Sequence, residues 1–386
     1  MRPVSVAGIG WLSVQKQCAL SLREMGRSAL RAALDDAGVE MIDALYASNT
    51  LGSELWGEKH MAALIADAAS LWGVEALQVN ATSASGAKAL RATYLAVASG
   101  QVDFAAAVGV EKMKDTESAT PVLARSLDQI SEAGHTMLSI NASVMRSYIK
   151  ARRAAGVTER ELAEGFAHFA VNAHANGAGN PDAFLRKPLT LEEAMNARLV
   201  DDPMRLSDAS PVCDGAACVI LTSSAIAESL GDAPVELAGS ACATDRISVE
   251  SRRNPLLLSA ARYSAEKALR EAGLERSSIG FFELHDAFSI MAVLSLEACG
   301  FLPEGQGFRA ASEGMIYPGS RLPVATMGGL KSRGHPVGAT ALYQACEIVR
   351  QLRGSAGENQ ISAQSAMMQS IGGAGTTILT HVFRMR

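Results

Sequence analysis

Four short segments carry side chains or turns that could do chemistry. The first spans residues 80–86 (NATSASG) and leads from a predicted strand straight into a long helical pattern. Small residues let a substrate approach closely, and the free N–H groups of a helix N-terminus stabilise an anion or a developing oxyanion. Ser83 lies in this turn. The alternative is that the hydroxyl side chains of this turn only cap the helix.

Two histidines and a glycine turn provide the other three segments. His285 follows an apolar strand in the sequence ELHDAF, and the strand ends of open α/β sheets commonly carry binding sites. His335 lies within residues 328–340 (GGLKSRGHPVGAT), where glycines allow a close backbone approach and a proline stiffens the loop. The turn at 370–375 (SIGGAG) can direct backbone N–H groups into a cleft. Each has a structural alternative, either a histidine that only packs or a plain hairpin.

An alternation of helical and strand patterns must position these segments. Alanine-rich stretches of helical period alternate with short β-branched stretches, which is typical of an α/β fold. A polar, helix-rich passage at about 114–205 interrupts the alternation and is predicted to be an inserted lid. The pattern then restarts, so we divide the chain into halves 1–230 and 231–386. The predicted helices are 20–38, 60–72, 84–99, 255–272, 289–299 and 340–353, and the predicted strands are the opening residues, 44–49, 76–79, 104–110, 215–223, 279–284 and two around the glycine turn.

Composition excludes several classes of protein. With 386 residues, 48% hydrophobic and 19% charged, the chain can bury a sizeable core and is not a disordered protein. The net charge of −5 is dispersed, so neither nucleic acid nor a membrane is an expected partner. The six cysteines form no C-x-x-C pair and do not cluster with the histidines, which argues against a metal site and favours a reducing cytoplasm. The uncharged stretch 359–383 predicts strand, turn and strand rather than a membrane span.

Taken together and in this order, these segments resemble the thiolase superfamily. The stretches VGVEKM, LSDASPVCDGAACVILTSS, ELHDAFS and GGLKSRGHPVGAT are similar to motifs of the archaeal-type and sterol-carrier-protein-type thiolases, which are acetyl-CoA acetyltransferase-like. The resemblance covers nearly the whole chain. It implies two duplicated α/β halves in a five-layer αβαβα sandwich, a lid over an acyl-CoA tunnel, and a homodimer or tetramer. It also implies Claisen condensation or its reverse, with coenzyme A or acyl-CoA as substrate and no covalently bound cofactor.

The resemblance assigns a role to each matching residue. Ser83 stands where the family has its reactive cysteine. His285 matches the histidine that, with a water, forms an oxyanion hole for the thioester carbonyl, and His335 matches the histidine that takes the proton of the nucleophile. Ser370 stands where family members have an acid/base cysteine. Gly372 would give a second oxyanion N–H, together with the backbone of Ser83.

The serine at position 83 is the central departure from the family pattern. A cysteine thiol ionises readily at a helix N-terminus but a serine hydroxyl does not, so a serine nucleophile needs an adjacent general base. His335 is the expected base. The position after the His-Asp pair, where sterol-carrier-type members can have their acid/base cysteine, holds Ala287, as it does in archaeal-type members.

Four interpretations of the function remain open. The first is a thiolase-like acyltransferase that uses Ser83, and the second is a carbon–carbon lyase of retro-aldol type, in which His285 and His335 do the acid/base and enolate chemistry. The third is a non-catalytic subunit, and the fourth is a serine introduced in place of cysteine to trap a complex. Because archaeal-type thiolases associate with a small zinc-ribbon and OB-fold protein, the resemblance also implies such a partner. Lys331 and Arg333 lie near the right loop to bind CoA phosphates, or else face solvent.

Overall fold

The computed structural model describes residues 2–114, 119–231 and 234–386, and its elements follow the predicted alternation. The strands are β1 Val4–Trp11, β2 Ala44–Ser48, β3 Glu75–Val79, β4 Phe104–Glu111, β5 Leu199–Asp201, β6 Met204–Arg205, β7 Gly215–Ser223, β8 Val235–Thr244, β9 Phe281–Glu283, β10 Ser365–Gly372 and β11 Thr377–Met385. The helices are α1 Leu22–Ala37, α2 Gly52–Leu55, α3 Met61–Ala68, α4 Ser85–Ser99, α5 Ala119–Ala124, α6 Met137–Ala154, α7 Glu159–Ala178, α8 Leu191–Met195, α9 Ser224–Ser229, α10 Ser259–Ala272, α11 Ser289–Ala298 and α12 Thr340–Leu352. None of the helices in the described ranges has the length and apolar character that a membrane span requires.

Both halves contribute strands to one hydrogen-bonded sheet. Its order is β3-β2-β4-β7-β1-β8-β11-β10-β9, and β5 pairs with β6 in a separate hairpin. The first half is mixed, since β2 is parallel to β3 and β4 whereas β7 is antiparallel to β4 and β1. The second half is mixed as well, since β10 is parallel to β9 and antiparallel to β11. The two parts meet where Ser5 of β1 pairs with Glu236 of β8.

The two parts of this sheet lie on opposite sides of α4 and α12. Helices and strands therefore form five layers, with three large apolar cores between them. The first core lies between α1, α3 and one face of β1, β2, β4 and β7. The second packs the other face of these strands against α4 and α12, which also contact the inner face of β8, β10 and β11. The third covers the outer face of β8, β10 and β11 with α10, α11 and part of the lid. Successive side chains of a strand point to opposite faces of the sheet and so pack into different cores. In β7, Val219 packs into the second core and Ile220 into the first. This is the expected αβαβα sandwich.

The lid contains α5 to α8 and the β5–β6 hairpin. Four residues of the predicted lid, 115–118, lie outside the described residues. Three asparagine side chains, spaced four residues apart, fasten α7 and the turn after it to the segment that precedes the glycine-rich loop. Their amides donate to backbone carbonyls at 2.8–2.9 Å, Asn172 to Val324, Asn176 to Ala325 and Asn180 to Met327. The lid is therefore held against the second half of the chain.

Candidate active site

Ser83 lies in a tight turn between β3 and α4. The turn is a single 3-10 segment, Thr82–Ala84, and Thr82 has a φ of 53°, in the left-handed region that non-glycine residues rarely adopt. The Ser85 hydroxyl holds this turn, because it accepts from the N–H of Ala81 at 2.8 Å and donates to the carbonyl of Thr82 at 2.6 Å. The Ser83 hydroxyl forms no hydrogen bond with any residue that the structure describes. The hydrogen bonds that hold the turn are therefore made by Ser85, so the half-buried Ser83 hydroxyl remains available to a substrate.

His285 lies just beyond the end of β9 and is 3% exposed. Its ring nitrogen Nδ1 is buried and has no hydrogen-bond partner among the described residues. Burial, followed by the nearby positive charge of Arg333, lowers the pKa of His285 to about 3. The ring is therefore neutral at pH 7 and carries one N–H that can donate to a developing oxyanion.

His335 is held on the loop between a π-helical turn, Gly329–Arg333, and α12. Its backbone N–H donates to Cys213 Sγ at 3.1 Å, and its ring Nδ1 lies 2.7 Å from Thr340 Oγ1. The Thr340 hydroxyl donates its one hydrogen to the carbonyl of Pro336 at 3.1 Å, so it accepts a hydrogen bond from Nδ1–H of His335. This assignment places the lone pair of His335 on Nε2, as a general base requires.

The two histidine rings meet edge to face. Their centroids are 5.2 Å apart and their planes are inclined by 86°. Burial lowers the pKa of His335 well below its usual range, and the repulsion that a protonated His335 ring would meet from a protonated His285 ring and from Arg333 lowers it further. Because both rings are neutral at pH 7, they can lie this close without charge repulsion.

Ser83, His285 and His335 all line one cavity of about 230 Å³. The tertiary structure thus brings together three of the residues predicted from separate segments. Most of the remaining wall is apolar and includes Met137 of the lid and Phe288. No hydrogen bond joins Ser83 to His335 in the described part of the chain.

The C-terminal glycine turn lies behind the Ser83 turn. Ser370 is fully buried in β10, and its hydroxyl donates to the carbonyl of Ser83 at 3.3 Å. A Cβ added to Gly372 would lie 2.4 Å from the carbonyl oxygen of Ala81, so this close approach requires glycine. Both predicted residues therefore contact the Ser83 turn. The acid/base role of Ser370 and the oxyanion role of Gly372 stay predictions.

Two family models together match most of the chain. The model described as "Thiolase, N-terminal domain" matches residues 13–225, and the one described as "Thiolase C-terminal domain-like" matches residues 240–385. The chain belongs to the thiolase family.

Named relatives of this thiolase-family chain include transferases and lipid carriers. It is 39% identical over 388 residues to an acetyl-CoA acetyltransferase of Methanothermobacter thermautotrophicus, and the alignment covers 99% of this chain and 100% of that protein. It is 28% identical to human sterol carrier protein 2, over 100% of this chain and 72% of that protein. These relatives support an acyltransferase at the level of the family, and thiolases use CoA substrates.

Solved structures share the thiolase fold. The complex described as "Ltp2-ChsH2(DUF35) aldolase" superposes with a TM-score of 0.84 at 22% identity, covering 99% of this chain and 98% of that chain. An acetyl-CoA acetyltransferase from Syntrophomonas wolfei superposes with a TM-score of 0.74 at 17% identity, covering 100% of this chain and 99% of that chain. At these identities the likeness concerns the fold.

The basic residues of the glycine-rich loop are buried in this thiolase fold. Lys331 and Arg333 are each 1% exposed. Lys331 Nζ donates to the carbonyl of Asp208 at 2.5 Å, and Arg333 forms an ion pair with Glu347 in which nitrogen and oxygen are 2.9 Å apart. The expectation that these residues bind CoA phosphates or face solvent is therefore wrong. The π-helical turn folds them inward, where their charges are paired or hydrogen-bonded.

Three residues of the thiolase-family site had no assigned role in the sequence analysis. Glu111, inside the VGVEKM stretch, is fully buried, and burial raises its pKa to about 7. Thr340 orients His335, and Asn141 of the lid lines the cavity. Of these three, only Glu111 had a feature in the sequence that could have indicated a role in the site, because an acidic residue there ends an apolar strand. The described residues contain no cluster of His, Cys, Asp and Glu suited to a metal ion.

Proposed function

We propose that this thiolase-family protein is an acyltransferase that acts on acyl-CoA through Ser83, in Claisen condensation or thiolytic cleavage of a 3-oxoacyl-CoA. The observation that carries the proposal is the shared cavity of Ser83, His285 and His335. The identity of 39% to an acetyl-CoA acetyltransferase over the whole length of both chains supports it further.

The first step transfers the acyl group from sulfur to oxygen. Ser83 Oγ attacks the thioester carbon while its proton passes to Nε2 of His335. His285 and the N–H groups of Ser83 and Gly372 stabilise the oxyanion. The carbon–sulfur bond then breaks, CoA leaves as a thiolate that takes the proton from His335, and an ester on Ser83 remains.

In the second step, His335 Nε2 takes a proton from C2 of a second acyl-CoA, the carbanion attacks the ester carbon, the bond to Ser83 Oγ breaks, and Oγ takes the proton from His335. In thiolytic cleavage, Ser83 Oγ gives its proton to His335 and attacks the C3 carbonyl, the C2–C3 bond breaks, and C2 takes that proton. The thiol of CoA then gives its proton to His335 and attacks the ester carbon, and the departing Ser83 Oγ takes the proton.

The serine sets a chemical limit on this pathway. A neutral, buried His335 with a lowered pKa is a weak base for a hydroxyl. An oxygen ester is also more stable than a thioester, so return of the acyl group to CoA is uphill. We therefore expect acylation to be slow and the acyl-enzyme to accumulate.

A second candidate function is aldol cleavage of a 3-hydroxyacyl-CoA. The missing hydrogen bond between Ser83 and His335 favours it, because no covalent intermediate is needed. His335 Nε2 would take the proton of the C3 hydroxyl, the C2–C3 bond would break, and the electron pair would form a thioester enolate stabilised by His285. The imidazolium of His335 would then protonate C2. The products are an aldehyde or ketone and a shorter acyl-CoA.

Intact-protein mass spectrometry distinguishes the two functions. The native chain, Ser83→Ala and Ser83→Cys are each incubated with acetyl-CoA and with longer acyl-CoAs. Acyl transfer predicts an adduct on the native chain that is absent from Ser83→Ala. If only Ser83→Cys is acylated, the cavity binds acyl-CoA but the natural reaction is not acyl transfer through serine. Carbonyl release from 3-hydroxyacyl-CoA by native protein then supports the lyase, and its absence supports a non-catalytic subunit.

We propose a homodimer or tetramer, associated with a small zinc-ribbon and OB-fold partner. The strand β3 lies at one edge of the sheet with Leu77 50% exposed, and such an edge favours pairing with another strand. The name of the aldolase neighbour includes a second component, ChsH2(DUF35). Analytical ultracentrifugation tests the oligomer. Pull-down from the native organism tests the partner, and recovery of the homo-oligomer alone would refute it.

We also propose a cytoplasmic location and the domain division at 230/231. Six free cysteines are compatible with a reducing compartment, and the two family models end and begin on either side of this boundary. Fractionation of native cells tests the location, and limited proteolysis tests the boundary.

A further inference from the structure

Thr82 joins the turn that carries Ser83 to the C-terminal glycine turn at 370–375. These turns belong to opposite halves of the chain. The Thr82 hydroxyl accepts the backbone N–H of Gly373 at 2.6 Å, across a separation of 291 residues. Gly373 lines the cavity that contains the two candidate histidines, as Ser83 does. This hydrogen bond therefore ties one wall of the cavity to the residue that precedes the candidate nucleophile.

Two other contacts between the turns hold them less firmly. The hydroxyl of Ser370 donates to the carbonyl of Ser83 at 3.3 Å, which is longer than is usual for a hydroxyl donor. Gly372 lies against the carbonyl of Ala81, and this contact limits how near the turns can come without drawing them together. The bond to Thr82 is thus the shorter of the two hydrogen bonds that join these turns in the described part of the chain.

The backbone of Thr82 is strained. Its φ of 53° is an outlier for a β-branched residue, because the Cβ crowds the following carbonyl oxygen. Three hydrogen bonds hold this conformation. The N–H of Thr82 donates to Asn80 Oδ1 at 2.9 Å, and its carbonyl accepts from the hydroxyls of Thr50 and Ser85 at 2.9 and 2.6 Å. Glycine would adopt this φ without strain but has no hydroxyl, so what threonine adds here is the acceptor for Gly373.

We propose that Thr82 is a positioning residue for the reaction at Ser83. Its hydroxyl sets the distance between the backbone N–H groups of Ser83 and Gly372, the two donors that the proposed mechanism directs at the oxyanion. This role rests on the proposed function, because it assumes that an acyl group is transferred to position 83. Such donors act on charge that develops in the transition state, so a shift between the turns slows acylation while acyl-CoA still binds.

The test separates the Thr82 hydroxyl from the shape of the side chain. Thr82→Val keeps the β-branched shape but cannot accept from Gly373, whereas Thr82→Ser keeps the hydroxyl. Both changes are made in the Ser83→Cys background, because a thiol is the better nucleophile and its acylation is measurable even where serine is not acylated. The control is Ser21→Ala, which removes a hydroxyl that caps α1, in the outer layer beyond the first core.

Intact-protein mass spectrometry follows acylation of each variant at increasing concentrations of acetyl-CoA and of decanoyl-CoA. The measured quantities are the maximal rate of acylation and the concentration that gives half of it. We expect Thr82→Val to lower the maximal rate by about tenfold or more, with the half-saturating concentration within about threefold of the background. Thr82→Ser and Ser21→Ala should stay within about threefold of the background in both quantities.

A maximal rate of Thr82→Val within threefold of the background would overturn the positioning role. Equal losses in Thr82→Val and Thr82→Ser would overturn it as well, because the hydroxyl would then not be the cause. Urea unfolding checks that each variant is folded, and Thr82→Ala, which also lacks the acceptor, replaces Thr82→Val if the valine variant is not.

Acylation is read on cysteine, so the positioning role and the proposed function can fail separately. Failure of the role leaves acylation of the native Ser83 unaffected. Conversely, the role can hold in the Ser83→Cys background while the native serine is never acylated, which would refute only the serine chemistry. A Ser83→Cys background that neither acyl-CoA acylates would refute both.

Discussion

The Glu111 carboxylate accepts the backbone N–H of Gly338 at 2.9 Å, which joins the end of β4 to the loop before α12. The same carboxylate accepts the N–H of Thr50 at 2.9 Å. The Thr50 hydroxyl in turn donates to the carbonyl of Thr82, beside the candidate nucleophile, at 2.9 Å. One buried side chain thus links the turn that carries Ser83 to the loop that follows the second histidine.

We expect Glu111→Gln to lower kcat at least tenfold while KM changes less than threefold. The glutamine NH₂ would face backbone N–H donors, which leaves buried hydrogen bonds unmade at a cost of about 1–3 kcal/mol. The consequence is a displacement of catalytic groups rather than a lost substrate contact. Steady-state kinetics with an acyl-CoA and urea unfolding measure the two effects. The exposed Glu40→Gln is the control, and a native kcat in Glu111→Gln would contradict the positioning role.

Thr340→Val should reduce kcat/KM by about tenfold, mainly through kcat. Valine keeps the shape of threonine but cannot accept the hydrogen bond from Nδ1–H of His335, so the tautomer with a lone pair on Nε2 is no longer selected. Kinetics and the ¹⁵N NMR shifts of the imidazole report the loss. Thr340→Ser retains the hydroxyl and should retain most of the activity. If the valine and serine variants behave alike, the hydroxyl does not orient the ring.

Gly372→Ala should destabilise the protein by about 1–3 kcal/mol and abolish acylation of Ser83. The added Cβ would meet the carbonyl oxygen of Ala81 at 2.4 Å, and a backbone atom cannot move aside as a flexible side chain can. Urea unfolding and intact mass after incubation with acyl-CoA are the measurements. Gly86→Ala, whose nearest contact would be 3.0 Å, is a milder comparison. Full acylation of Gly372→Ala would show that the turn tolerates the shift.

Glu283→Gln should remove a pH dependence of stability. The Glu283 Oε1 accepts from the N–H and hydroxyl of Thr326 at 2.8 and 2.6 Å, whereas Oε2 is buried without a partner among the described residues. Burial, followed by the charge of Glu347, raises the pKa of Glu283 from 4.5 to about 8. Between these values the folded state holds a proton that the unfolded state releases. The contribution of Glu283 to the free energy of unfolding is therefore fully present below pH 4.5 and is lost as the pH rises towards 8.

The lost contribution is at most about 1.4 kcal/mol per pH unit. Since glutamine does not titrate, the variant should gain stability relative to the native protein from pH 5 to pH 8. Urea unfolding at pH 5, 6.5 and 8 measures this difference. The exposed Glu275→Gln should show no such trend, and a constant difference for Glu283→Gln would mean that Glu283 is already ionised in the folded protein.

Much of the fold could be predicted because local patterns are decisive for it. Period-2 and helical-period stretches located β2 at 44–48 and α12 at 340–352 within one or two residues. The start of α10 was predicted less accurately. The helix predicted from 255 begins at Ser259, after Leu258, which provides no side-chain cap. The segments of Ser83, His285 and His335 were recognisable because each combines a reactive side chain with a strand end or a glycine-rich loop.

The amino-acid sequence by itself determined the α/β class, the family and three residues of the cavity, because these follow from periodicity and from motifs within a few residues of one another. Only the tertiary structure decided which way polar groups face. Ser370 donates to the carbonyl of Ser83, 287 residues away in the chain. Lys331 turns inward to carbonyls of the segment after the lid, and Glu111 reaches a loop 227 residues further on. The direction of a buried polar side chain depends on donors and acceptors from distant segments, and no local pattern records which of these will be its neighbours.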